Sequence, residues 1–199
     1  LHVFDIDGTL LNPTARVLVK DKKTGKSTEL SHSEFNTHKL EPHQEYDFSE
    51  FKSADKFHES KPIGRMIGKL NAIHANAKKT GSKVIMNTAR ADFDNKDKFL
   101  DKFREHKVDI DNIHVHRTGN DKSDKPVGEK KNDVVRNYLN NNSYRHVTLY
   151  DDDKNNRDND DDKSNSNDTK NNACVNSVDH VDPFVNVYKS FLVFKPTFF

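Results

Sequence analysis

Four short apolar runs, each closed by polar residues, set the rhythm of the chain. They are Leu1-His2-Val3-Phe4, Lys83-Val84-Ile85-Met86, Ile113-His114-Val115-His116 and His146-Val147-Thr148-Leu149-Tyr150. Short, mainly apolar runs bounded by polar residues predict buried strands. Between them the apolar positions follow helical spacing. Ile63, Met66, Ile67, Leu70, Ile73 and Ala77 share one helical face, with Ser60 and Pro62 suited to the start and Gly81 to the exit. Phe99, Leu100 and Phe103 mark a second helix, and Val134, Val135, Tyr138 and Leu139 a third. Strands alternating with helices predict an α/β fold with a parallel sheet covered on both faces.

Residues 11–60 break this rhythm. Arg16-Val17-Leu18-Val19-Lys20 and Ser27-Thr28-Glu29-Leu30, joined by a turn at Lys23-Thr24-Gly25-Lys26, predict a β-hairpin. A polar segment with isolated aromatics (Phe35, Tyr46, Phe48, Phe51, Phe57) follows. The whole stretch reads as an insertion standing over one edge of the sheet. The expected division is a core of 1–10 and 81–199, a helix over 61–80 leading into the second strand, and the 11–60 insertion.

Residues 151–172 hold no apolar side chain but eight Asp and four Lys or Arg. Such a stretch cannot offset the entropy of ordering by burial, so a mobile polar loop is expected there. From Val178 onward, alternating Val and Phe predict one or two edge strands.

Composition narrows the class. Charged residues make up 33%, yet the net charge is only +1, and Leu, Ile, Val and Phe together reach about 24%, enough for a core. No run approaches the roughly 18–20 apolar residues of a membrane span. Cys174 alone cannot build a disulfide framework, and no signal segment opens the chain, so a reducing cytoplasm is expected. Leu1 falls directly in a strand with no Met before it, so residues are expected to precede it in the natural protein.

The chemistry concentrates at Val3-Phe4-Asp5-Ile6-Asp7-Gly8-Thr9-Leu10. An apolar strand delivers Asp5 and Asp7 onto the loop at its C-terminal end, where open α/β sheets bind ligands. Gly8 allows a sharp turn and Thr9 a hydrogen bond across it. Paired carboxylates repel unless a cation lies between them, and hard oxygen ligands favour Mg2+. Two other patterns fail. Gly25-Lys26-Ser27 lacks the first glycine of a phosphate loop, since position 20 is Lys. Asp158, Asp160 and Asp162 open like a calcium loop, but Lys163 and Thr169 stand where Gly and Glu are needed.

The first segment resembles motif I of the haloacid-dehalogenase-like (HAD) phosphohydrolases, and three more motifs follow in that family's order. Ile85-Met86-Asn87-Thr88-Ala89-Arg90 resembles the second, Lys131 at a helix start the third, and Leu149-Tyr150-Asp151-Asp152-Asp153 the fourth. The resemblance implies a Rossmann-like three-layer sandwich with a small cap, similar to HAD proteins encoded by bacteriophages, and hence a host cytoplasm. It implies a Mg2+-dependent phosphomonoesterase in which Asp5 is the nucleophile and Asp7 the general acid and base. Asp5, the Asp7 backbone carbonyl, Asp151 and Asp152 would hold the metal, while Thr88, Ala89, Arg90 and Lys131 would contact the phosphoryl group. Lys131 lies three and four residues before Val134 and Val135, which places it inward and the adjacent Lys130 in solvent. Asn156 is a candidate support for Asp151. Arg90 has two open readings, a phosphate contact or a pair with an acidic core residue. His114 and His116 share a strand face, but two ligands do not close a zinc site.

Within the family that the chain resembles, the presence of Asp7 implies phosphoryl chemistry rather than dehalogenation. A phosphorylated small molecule or nucleotide is the expected substrate, and the small insertion also leaves room for a phosphorylated nucleic-acid end. The basic hairpin (Arg16, Lys20, Lys22, Lys23, Lys26) with His32, His38 and His43 fits an anionic substrate, whereas Glu34, Glu41, Glu45, Asp47 and Glu50 oppose it. No membrane or particular protein partner is implied. The alternatives are a phosphotransferase of the same family and a non-catalytic HAD-fold binding or scaffold protein.

Overall fold

The structure, a computed structural model, describes residues 1–35, 37–142, 144, 146–153, 156, 174–182 and 185–194. In chain order it contains β1 (His2–Phe4), β2 (Leu11–Asn12), β3 (Val17–Asp21), β4 (Ser27–Leu30), α1 (His32–Phe35), β5 (Gln44–Asp47), α2 (Ala54–His58) and β6 (Lys61–Pro62). There follow α3 (Gly64–Thr80), β7 (Val84–Thr88), α4 (Lys96–Glu105), β8 (His114–Arg117), α5 (Val127–Asn141), β9 (His146–Tyr150), β10 (Cys174–Asp182) and β11 (Val185–Phe194).

The main sheet has the order β10-β11-β9-β1-β7-β8. Its four strands β9, β1, β7 and β8 run parallel, so the α/β class holds. In β9, β1 and β7 both parities carry apolar side chains because both faces are covered. Phe4, Val84, Met86 and Tyr150 face one way and join Met66, Ile67 and Leu70 of α3 with Phe99 and Phe103 of α4. Leu1, Val3, Ile85, Val147 and Leu149 face the other way and meet Val135 of α5, with Val134, Tyr138 and Leu139 half-buried beside them. The three expected helices thus bury the stripes that their spacing marks. No helix among the described residues is long and apolar enough to cross a membrane.

The C-terminal segment contributes two strands. β11 runs antiparallel to β9, and β10 antiparallel to β11, starting at Cys174 rather than at Val178. The polar loop expected over 151–172 lies outside the described residues except for 151–153 and 156.

The expected hairpin is present as β3 paired with β4, Val17 opposite Leu30. Its turn is held by Asp21 Oδ1, which accepts from the backbone N–H groups of Lys23 and Thr24 at 2.8 and 3.0 Å. A third strand, β5, pairs with the other edge of β3. Gln44-Glu45-Tyr46-Asp47 carries one aromatic and no aliphatic side chain, so nothing local marks it as a strand. It is held by partners on and just after β3, with Lys20 2.7 Å from Asp47 and Lys22 2.9 Å from Glu45. Val17, Val19 and Leu30 pack with Phe35, Tyr46 and Phe51 in a small separate cluster. At the base, β2 pairs with β6, Leu11 opposite Pro62, so the two ends of the segment meet. Phe57 differs from the other aromatics of this stretch. It is fully buried in the main core against Phe93, Phe99 and Phe103.

Candidate functional site

The parallel sheet brings the ends of β1, β7 and β9 side by side. Phe4 is level with Met86 on one side and Tyr150 on the other, so the next residue, Asp5, is flanked by Asn87 and Asp151. The Asp5 N–H donates to the Tyr150 carbonyl at 2.8 Å, which carries the ladder one residue past the strand.

Lys131, in the second turn of α5, reaches between the acids. Its Nζ donates to Asp5 Oδ1 and to Asp151 Oδ2, both at 2.7 Å, and all three side chains are at most a tenth exposed. Asn87 Nδ2 donates to the Lys131 backbone carbonyl at 3.0 Å and fixes this part of α5 against β7. Lys130 points away, its Nζ donating to the Asp121 carbonyl at 2.8 Å. Asn156 Nδ2 donates to Asp151 Oδ1 and Oδ2 at 3.1 and 3.2 Å. Beneath Lys131 a cavity of about 20 Å3, lined by Asp5, Asn87, Lys131, Asp151 and Asn156 among others, has room for one water-sized group.

The turn after β1 is built against Asp152. Leu10 and Leu11 both donate backbone N–H bonds to the Ile6 carbonyl at 2.9 Å, and Gly8 takes φ +76°. Thr9 Oγ1 donates to Asp152 Oδ1 at 3.2 Å and accepts from the Asp152 N–H at 3.1 Å. One oxygen each from Asp5, Asp151 and Asp152 therefore lie within 4.8 Å of one another.

Burial pushes the Asp5 carboxyl well above the usual carboxylate range. Lys131 opposes that rise, and the neighbouring Asp151 and Asp7 carboxylates add to it. Burial also works against the charge on Lys131, but the attraction of Asp5 and Asp151 outweighs it and holds the ammonium protonated. One buried cation thus serves more than one acid.

Asp7 is turned from this cluster toward the end of β7. Arg90 Nε donates to Asp7 Oδ2 at 2.8 Å and Arg90 Nη2 to Oδ1 at 2.7 Å. Of the two readings open for Arg90 in the sequence, its guanidinium adopts the pair with an acid. Thr88 is fully buried, its Oγ1 accepting from the Arg90 N–H at 3.3 Å and its carbonyl accepting from Thr118 Oγ1 at 2.9 Å. Ala89 is exposed at the same strand end. Its carbonyl packs against Gly119, where an added Cβ would collide with the 89–91 backbone.

Asn87, Thr118 and the Phe51 carbonyl, which also contacts Arg90, are the parts that motif reading missed. Asn87 sits inside the second motif and was open to inspection, but a backbone carbonyl leaves no sequence signal. His114 Nδ1 and His116 Nε2 both meet the Tyr138 hydroxyl, at 3.1 and 2.9 Å, as an ordinary strand-end cluster would. No family model matches this chain, and neither any curated protein nor any solved structure matches it.

Proposed function

We propose that the protein is a Mg2+-dependent phosphomonoester hydrolase with Asp5 as nucleophile, built on a Rossmann-like three-layer core with residues 11–60 as a small cap. The observation that carries this reading is the bridge of Lys131 between Asp5 and Asp151 at the ends of adjacent parallel strands, with Asp152 alongside.

The donor set fits a hard divalent cation. It is all oxygen, it is largely buried, and its carboxylates outnumber the lysine among them. Asp5, Asp151 and Asp152 would hold Mg2+, together with the Asp7 carbonyl. When bound there, the ion would offset the repulsion between the carboxylates and a phosphate dianion.

The chain's own groups then divide the work. Asp5 Oδ attacks phosphorus and forms an aspartyl-phosphate while the ester P–O bond breaks, and Asp7, which enters this step as the protonated acid, passes its proton to the departing oxygen. Asp7 next takes a proton from water, whose oxygen attacks the same phosphorus. The P–O bond to Asp5 breaks, inorganic phosphate leaves and the Asp5 carboxylate is restored. Lys131 places a fixed positive charge beside the phosphoryl oxygens, and the β7 end at Thr88 and Ala89 offers hydroxyl and backbone N–H donors. A phosphorylated small molecule or nucleotide suits this site. The pairing of Lys20 and Lys22 with acids of β5 reduces the basic character of the hairpin, which weakens the case for a nucleic-acid end.

The test is hydrolysis of an aryl phosphate with Mg2+ or with a chelator, beside Asp5→Asn. Metal-dependent turnover lost in Asp5→Asn supports the reading. Turnover that persists in Asp5→Asn overturns the nucleophile, and a folded protein that binds Mg2+ yet turns over no phosphomonoester overturns the hydrolase.

A further inference from the structure

Among the described residues, Asp7 is held by a single side chain, which is itself fixed by several contacts. The Arg90 side chain is 1% exposed and its guanidinium commits three nitrogens: Nε and Nη2 to Asp7, and Nη1 to the Phe51 carbonyl at 2.9 Å. Its central carbon lies 4.7 Å from the Phe51 ring centre, 5.0 Å from Phe57 and 5.4 Å from Phe93. Phe57 and Phe93 belong to the main core or pack against it, whereas Phe51 belongs to the insertion's cluster. The Arg90 backbone is pinned too, by the Thr88 hydroxyl and by Gly119, whose N–H donates to the Arg90 carbonyl at 3.2 Å.

We infer that Arg90 is a positioning residue that sets the angle of the Asp7 carboxylate and couples it to the 49–52 turn of the insertion, rather than a ligand for the substrate phosphate. The inference rests on the proposed hydrolase reading, since it concerns the proton transfers assigned there to Asp7. A bidentate guanidinium takes one lone pair from each carboxylate oxygen and fixes the carboxylate plane. The remaining lone pairs keep a defined direction, and one of them can exchange a proton with the leaving oxygen or with water. A lysine cannot reproduce this, because an ammonium is a point charge without the planar fork. Phe51 contributes its carbonyl and its ring, so a displacement of the 49–52 turn moves Arg90 and, through it, Asp7.

The experiment is a cycle of single and double variants assayed for aryl phosphate hydrolysis in saturating Mg2+. R90A and R90K are each expected to lower kcat by roughly 10- to 100-fold, part of the 10²–10⁴ that a placed general acid and base supplies, with KM within about two-fold. On a D7N background, R90A is expected to cost less than about two-fold further, because Arg90 acts through Asp7. Millimolar guanidinium chloride is expected to restore part of the R90A loss, while methylammonium chloride at the same concentration does not. R90K retains the stem and charge, so it carries the test where R90A fails to fold, as judged by circular dichroism. A loss in R90A that multiplies in full on D7N overturns the inference, as does a KM increase with kcat intact, the mark of a phosphate ligand. Wild-type protein with no phosphomonoesterase activity overturns both the hydrolase reading and this inference. An active wild type with additive variants overturns the inference alone.

Discussion

Gly8 and Asp152 pack so closely that a Cβ on Gly8 would collide with the Asp152 carboxylate, and Gly8 holds φ +76°. Both constraints reject a side chain there. Gly8→Ala is expected to cost about 1–3 kcal/mol through backbone strain. It should also push Asp152 away from Asp5 and Asp151, so that Mg2+ raises Tm less in the variant than in wild type. Thermal melts at several Mg2+ concentrations check this, and an equal Mg2+ response in both proteins would sink it.

Lys131 is the cation shared by two carboxylates that are themselves buried. Lys131→Met retains the stem but leaves Asp5 and Asp151 without their shared cation, and removing one partner of a buried ion pair costs about 3–5 kcal/mol. Mg2+ should recover more stability in this variant than in wild type, because the metal would replace the missing charge. Chemical denaturation with and without Mg2+ reads both effects, while turnover should be lost in either condition.

Phe57 lies in the part of the chain that reads as insertion, yet it fills the space between Phe93, Phe99 and Phe103. Phe57→Ala is expected to lower global stability by about 3–5 kcal/mol. Phe48→Ala, at an exposed ring of the insertion, should cost far less. Equal losses for the two variants in urea titrations would show that residue 57 does not belong to the main core.

His116 is half-buried, and burial holds its imidazole below the ordinary value of 6.5, with like charge from His114 and Lys83 adding to the shift. The folded state therefore binds protons less readily than the unfolded chain. The associated stability is present above pH 6.5 and is lost as pH falls below it. Melts at pH 7.5 and pH 5.0 should show a smaller loss of Tm in His116→Gln than in wild type. An unchanged difference would place the acid sensitivity elsewhere.

Much of the molecule is legible in the order of its residues. Val3, Phe4, Val84, Ile85, Val147 and Leu149 announce strands buried on both faces, and the spacing of Met66, Leu70, Phe99, Phe103 and Val135 announces the helices above and below them. These are local signals, because the period of the apolar side chains is the period of the backbone. The location of Asp5, Thr88 and Asp151 at the ends of those strands follows directly, and so does the inward side of Lys131. Tertiary structure alone decided the rest. Glu45 and Asp47 enter a strand only because β3 supplies the partners, Phe57 meets the rings of Phe93 and Phe103, some 36 to 46 positions further along the chain, and Arg90 turns to Asp7 because the Phe51 carbonyl and three rings fix its direction. Such contacts depend on where distant segments dock, and no periodicity in a single stretch encodes that distance.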